Sequence, residues 1–462
     1  MTDKDWMKGR QAMDRHENKK RIRLPLHTWL ALYLVIVSVA FVASAVFNNK
    51  ATLVAMLAVA PVIAIYVFLE MRNRDIRWSR YNLLVAALAA LFLILTIIRG
   101  VYTVYAGCNL TLCLAAFVIG IAPASLTREE IHRETRLVAM ATVFAFLPLV
   151  ILALVSVFTA RPIYLLDPER PLGIQTVGQV GDRLFLGIHP NYVASICVQC
   201  ILLAVYLFGN ARSRVMKAAL AAAMLIYFLA IVHTQSRSGS IVLGIGVGAL
   251  CFRWSWRRFA QNRVAALTVG FLLAAASVVM CLLLIGWVYQ WDVRLALRLN
   301  PWIESEHAAA SRIATEGMSL TQNGRGLLWK GVLRYLRANP LTLLIGLGAQ
   351  HVFRFIAPFT GTDYWYGYLH NNFFEIVVRG GLPMLGLVVA MLLGLVRPCV
   401  RQLLGPDSEG ERWSCIRPIL VGVMLAVCVS EAMLFVYASF SNILFFILCG
   451  QLTLLEEEHQ RD

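Results

Sequence analysis

Residues 137–159 read LVAMATVFAFLPLVILALVSVFT, twenty-three positions without a charged side chain. Coiled as a helix, such a run crosses the hydrocarbon core of a bilayer, where only the helix's own ladder satisfies the backbone. Comparable runs recur along the chain. Spans are expected at about 27–47, 51–69, 81–98, 104–124, 137–159, 190–208, 214–232, 238–253, 264–287, 374–396, 416–433 and 436–455. The eighth is short and glycine-rich and the last two nearly touch, which brackets the count between about ten and thirteen. Of 462 residues, 59% are hydrophobic and 15% charged, a balance foreign to soluble domains. The expected fold is an all-α polytopic membrane protein of about twelve transmembrane helices, with a large outer loop containing short helices.

Basic residues orient the bundle. With the N-terminus inside, the inner segments hold eight Lys and Arg between Lys4 and Arg23, then Arg72, Arg74, Arg77 and Arg80. Arg128, Arg133 and Arg136 follow, and later inner segments repeat the pattern through Arg412 and Arg417, whereas the short outer connections hold few. This is a positive-inside pattern repeated loop by loop. It divides the chain into a basic cytoplasmic N-terminus (1–26), helices one to nine (27–287, interrupted by an outer segment at 160–189), a large outer loop (288–373), helices ten to twelve (374–455) and a cytoplasmic tail (456–462). The net charge of +16 then reflects attraction to membrane lipid headgroups and implies no nucleic-acid partner.

Other motifs are quiet. VASAV at 42–46 follows an apolar stretch longer than a signal core, so the first span reads as uncleaved. None of the ten cysteines lies between 288 and 373, and Cys197 and Cys200 fall inside a span as packing residues. GIGVG at 244–248 lies within a span and lacks a dinucleotide-site context. The linker 397–415, with its GPDSEGE turn, carries no evident chemistry. In the large loop, GRGLLWKGVLRYLRANP reads as an amphipathic helix gathering Leu327, Leu328, Val332, Leu333 and Leu336 on one side. RLALRLNPWIESEHAAASRIA offers one or two short helices, and LTLLIGLGAQ, too short to cross, reads as re-entrant or buried. Tyr364, Trp365, Tyr366 and Tyr368 are rings suited to headgroup level or to stacking on sugar.

Polar residues converge on the outer side. Arg237 sits among small residues in HTQSRSGS (233–240), with room for a large anion beside its guanidinium fork; a snorkelling interface arginine is the plainer reading. Arg161 and His189 bracket the first outer segment, with Asn191 just beyond, and Arg325 lies between two glycines. LHNNFFEIVVRGG (369–381) opens the tenth span with His370, Asn371 and Asn372. The asparagines suit sugar hydroxyls, orientation of the imidazole, or merely a helix cap, which leaves the histidine unexplained. His370 is the best candidate for proton transfer near neutral pH.

HTQSRSGS before a glycine-rich span, GRGLLWKGVLRYLRANPLTLLIGLG, and LHNNFFEIVVRGGLPMLGL, in that order, together resemble the O-antigen ligase and O-antigen polymerase superfamily. The resemblance covers residues 230 to 390, and the compact HNN favours a ligase. It implies a membrane-embedded glycosyltransferase of the GT-C type. Such an enzyme, in a Gram-negative inner membrane, moves polysaccharide from undecaprenyl diphosphate to the lipid A-core on the periplasmic side, using no metal, nucleotide or other cofactor. Carried over, the diphosphate-binding arginines fall on Arg237, Arg325 and Arg161, and the catalytic histidine on His370. Asn371, Asn372, His189 and Tyr368 would bind or orient substrate. A polymerase extending the lipid-linked chain shares the donor. A transporter of lipid-linked saccharide is the non-enzyme rival, but it calls for charges deep along a central route and half-to-half symmetry, whereas the charge clusters here lie at helix ends.

Overall fold

The computed structural model describes residues 24–47, 49–73, 78–100, 104–121, 126–164, 172–173, 183–186, 188–300, 325–348, 350–361, 368–407, 411–436 and 439–460. Helices dominate: α1 (Leu26–Phe47), α2 (Asn49–Asn73), α3 (Arg80–Arg99), α4 (Val104–Gly120) and α5 (Arg128–Thr159) come first. A ribbon of β1 (Leu172–Gly173) and β2 (Phe185–Leu186) precedes α6 (Pro190–Asn210), α7 (Arg214–Thr234), α8 (Arg237–Arg258) and α9 (Arg263–Leu299). Three short helices follow, α10 (Arg325–Ala338), α11 (Pro340–Ile345) and α12 (Val352–Thr360), then α13 (Asn372–Leu404), α14 (Ile416–Cys428) and α15 (Phe440–His459). Among the described residues, α3, α5 to α9, α13 and α15 are each long and apolar enough to cross a membrane, eight in all, and α1, α4 and α14 contain shorter apolar stretches. The chain is an all-helical polytopic membrane protein.

Helix boundaries follow local chemistry. Thr127 and Glu130 form a reciprocal capping box at the head of α5, so the run that fixes the fold begins at a defined turn. Ser79, Ser213 and Ser236 cap α3, α7 and α8 by accepting a backbone N–H three residues on. Between helices, small residues set spacing: a Cβ on Gly244 of α8 would come within 2.5 Å of Val278 Cα on α9. The outward sides of α3 and α9 keep large apolar groups uncovered, with Ile97 71% and Phe271 65% exposed, as lipid requires and water does not.

Four expectations shift. The ninth helix runs on to Leu299, so RLALRL continues that helix and is not a separate short one; the tail of that expected stretch, 301–314, and Tyr364, Trp365 and Tyr366 lie outside the described residues. In α10, Leu328, Val332 and Leu336 are buried, but Leu327 and Leu333 are about half exposed, because Tyr335 takes the inward position instead. The eleventh span stops at Cys428, and residues 429–436 are non-helical. The linker after α13 is not inert: Arg253 and Arg257 of α8 hold Asp407, and buried Arg417 holds Glu411.

The LTLLIGLGAQ segment forms α11 and a glycine turn packed against a break in α13. Gly381 (φ 68, ψ −172) interrupts that helix and frees carbonyls, which backbone donors recapture: Leu347 N–H reaches Val378 O and Gly348 N–H reaches Arg379 O, both at 2.8 Å. Only glycine fits at Gly346, where a Cβ would fall 2.1 Å from the Arg379 carbonyl oxygen. Non-helical backbone at this depth survives because protein, not lipid, satisfies it.

Candidate active site

The N-terminal ends of α6, α10 and α13 meet the non-helical segment 429–436. His189 caps α6, its Nδ1 accepting the Asn191 N–H at 3.3 Å, with Pro190 as the first helical residue. At the head of α13, Asn371 Oδ1 accepts the Phe374 N–H at 3.0 Å. The turn before it is held from three sides. Trp329 Nε1 of α10 donates to the Leu369 carbonyl (3.1 Å), the Leu369 N–H donates to Glu375 Oε1 (2.7 Å), and Arg379 Nε donates to Glu375 Oε2 (2.9 Å). Arg379 is tied in turn to the carbonyls of Gly348 and Gln350. Within this clamp His370 adopts φ 50, a left-handed conformation uncommon for a side-chain-bearing residue and characteristic of sites whose surroundings over-determine the backbone.

Facing His370 is Glu431, fully buried. Its Oε1 accepts from Asn191 Nδ2 at 2.5 Å and Arg325 Nη2 at 2.7 Å; its Oε2 accepts from the Tyr368 hydroxyl at 3.0 Å and lies 3.1 Å from His370 Nδ1. The rings of Tyr368 and His189 stand 4.2 and 6.0 Å from that of His370, centre to centre. Arg183 extends the network, donating from Nη2 to Asn191 Oδ1 (3.1 Å) and from Nε to the Thr234 carbonyl (2.9 Å).

Burial alone would push the Glu431 carboxyl upward, but the hydrogen bond and charge of His370, with Arg325 behind, outweigh it and hold the carboxyl at about 2. A carboxylate only accepts, so His370 Nδ1 is the donor in this contact. Burial pushes His189 down to about 4. Burial and the Glu431 charge together push the Tyr368 hydroxyl well above the usual phenol range.

The asparagines face backward. Asn371 Nδ2 donates to the Val429 carbonyl at 3.0 Å, and Asn372 Oδ1 accepts the Leu434 N–H at 3.1 Å. Tyr192 contributes a third strap, from its hydroxyl to the Ala432 carbonyl at 2.9 Å. Phe435 (φ 64) closes a tight turn in which the Val436 N–H reaches the Leu434 carbonyl at 2.7 Å. Asn371 and Asn372 therefore brace the segment that presents Glu431.

Of the residues singled out in the sequence, His370, Tyr368, Arg325 and His189 gather about this carboxylate. Arg161 is exposed just beyond α5, and Arg237 is the partly buried first residue of α8, three positions past Thr234; neither is a hydrogen-bond partner of Glu431. Sequence reasoning missed Glu431 and the roles of Asn191 and Arg183. The signal was present: Glu431 is the single acidic residue between 416 and 455, and an isolated carboxylate in an apolar run marks a site by default.

Residues 222–391 match the family model described as O-antigen ligase. This ligase-family region runs from within α7 to within α13 and contains Arg237, Arg325, Tyr368, His370, Asn371 and Asn372. The match spans 170 of the 462 residues, and it is this region that is similar to the O-antigen ligase family. His189, Asn191 and Glu431 lie outside the matched region and complete its histidine site from α6 and the segment after α14. No curated protein matches the chain.

Proposed function

We propose that the protein is an O-antigen ligase of the GT-C type. It has about twelve spans and both termini in the cytoplasm, and it transfers polysaccharide from undecaprenyl diphosphate to a lipid A-core sugar on the periplasmic side of the inner membrane. The observation that carries this reading is the contact between His370, within the matched region, and the buried Glu431 outside it.

In this mechanism the acceptor hydroxyl gives its proton to His370 Nε2 as its oxygen attacks the anomeric carbon of the donor sugar. The bond from that carbon to the diphosphate oxygen breaks, and the diphosphate leaves with the electron pair. Glu431 fixes the imidazole's tautomer and orientation and stabilises the imidazolium that forms, as the carboxylate does in a serine-protease triad. Arg237, Arg161 and the N–H groups of Arg325 not directed at Glu431 balance the charge growing on the leaving group. A good leaving group makes a second carboxylic acid unnecessary, and one displacement inverts the anomeric centre. Tyr368 and His189 position the acceptor side of the site, and Asn371 and Asn372 act indirectly, by bracing the segment that presents Glu431.

Reconstitution with purified lipid-linked O-antigen and lipid A-core tests the assignment. Polysaccharide on lipid A-core is expected. Longer undecaprenyl-linked chains would make the enzyme a polymerase, and neither product would leave transport of the lipid-linked saccharide.

A further inference from the structure

At the end of the bundle opposite His370, the first turns of α5, the end of α6 and the segment between α13 and α14 enclose an open cleft of about 870 Å³. Arg133 and Arg136 from α5, Arg212 after α6 and Arg412 before α14 line it. The two lining acids are already committed elsewhere. Glu411, almost fully buried, accepts from Arg417 at 2.5 and 2.9 Å and from the Tyr206 hydroxyl at 2.6 Å, and His132 Nε2 lies 3.0 Å away. The Arg417 charge dominates in holding the Glu411 carboxyl down at about 2 against its burial. Asp407 is held by Arg253 at 2.6 Å and Arg257 at 3.1 Å. Among the described residues, none of the four lining arginines has an acidic partner.

A fold does not need four guanidiniums around one opening. They repel one another, and a cleft walled by one sign of charge concentrates potential that attracts the opposite sign. The volume lies in the range of small-ligand sites. Its depth is fixed by its walls: Arg136 directly precedes the apolar run at Leu137, and Asn210 ends apolar α6. That is headgroup depth, on the side the arginine pattern assigns to the cytoplasm. Guanidinium forks match phosphate oxygens in pairs.

We propose that this cleft binds a phosphate-bearing anion at headgroup depth, as a second site separate from the one around Glu431. Two sources share that chemistry, an anionic phospholipid headgroup and free diphosphate.

Native mass spectrometry of the purified full-length protein, titrated separately with phosphatidylglycerol, phosphatidylcholine and inorganic diphosphate, tests it. Arg136, Arg212 and Arg412 are exposed, so R136A/R212A/R412A removes charge without opening the core. Wild type should hold one more equivalent of anion than this variant, and affinity for that equivalent should fall about fivefold per guanidinium, on the order of a hundredfold for three. R136K/R212K/R412K should retain most of it, separating lost charge from lost fold. Retention of phosphatidylglycerol over phosphatidylcholine identifies a lipid headgroup; retention of diphosphate alone identifies the free anion. Equal number and affinity in wild type and the triple alanine variant, or no saturable binding of either anion, would overturn the site.

Discussion

His370 Nδ1 lies 3.1 Å from Oε2 of Glu431, a residue 61 positions further along the chain and fully buried. The pair joins the head of α13 to a break between α14 and α15, and each partner has a use for the other. The imidazole and Arg325 keep the carboxylate charged; the carboxylate makes Nδ1 the donor in their contact.

Glu431→Gln keeps the shape and removes the charge. Its amide must turn a donor toward Arg325, Asn191, Tyr368 or His370, each of which donates to the native carboxylate. Transfer should fall by on the order of a hundredfold or more, with the protein still in the membrane. Glu431→Ala leaves Arg325 without its buried partner and should also cost about 3–5 kcal/mol of stability. Transfer assays and thermal unfolding separate the two effects; wild-type rates in E431Q would remove the carboxylate from the mechanism.

Arg325 and Arg237 test fork against point charge. Arg325→Lys retains a cation beside Glu431 but has fewer donors to share between that carboxylate and a diphosphate, so transfer should drop about tenfold or more while thermal stability changes little. Arg237→Lys should likewise lower turnover. Unchanged rates in both would mean that a point charge suffices.

Acid should destabilise the folded chain through two groups acting in one direction. Glu431 titrates at about 2 when folded, against 4.5 ordinarily, so its contribution is complete above the unfolded value and drains as pH falls toward 2. His189 titrates at about 4 against an ordinary 6.5. Between those values the unfolded histidine takes up a proton that the folded one refuses, so stability again falls on acidification. The thermal unfolding midpoint should decline from about pH 6.5 downward, and His189→Gln should flatten the first part of that decline. A midpoint that rises on acidification, or an unchanged slope in H189Q, contradicts this electrostatic picture.

Glycine turns remote from the chemistry should matter to it. Gly346→Ala drives a Cβ into the Arg379 carbonyl, and Gly381→Ala places a side chain at φ 68 against the Leu344 backbone 2.8 Å away. Each should cost about 1–3 kcal/mol. Because Arg379 and Glu375 clamp Leu369, transfer should fall along with the unfolding temperature. A variant that loses stability yet keeps full activity would uncouple the re-entrant turn from His370.

The parts legible in the sequence were those written in local order. Each expected span overlaps a helix, and among the described residues eight of those helices are long and apolar enough to cross a membrane, because apolar run length is written in local order. His370, Arg325, Tyr368 and His189 were found because polar residues at helix mouths stand out against such runs. What held them together was not local. Glu431 meets Asn191 across 240 positions and Arg325 across 106, and it lay inside a stretch read as continuous helix. Helix 416–433 ends early because Asn371, Asn372 and Tyr192, from other helices, take over the backbone groups that helical bonds would have used. No periodicity signals such a substitution. A lone carboxylate among apolar residues was the one available clue.

The most direct test is single-turnover transfer by purified, reconstituted His370→Ala, supplied with lipid-linked O-antigen and lipid A-core and compared with wild type at matched amounts of folded protein. If His370 takes the acceptor proton, product on lipid A-core forms at least about a hundredfold more slowly while the donor is still bound. Product formed at close to the wild-type rate would contradict the account.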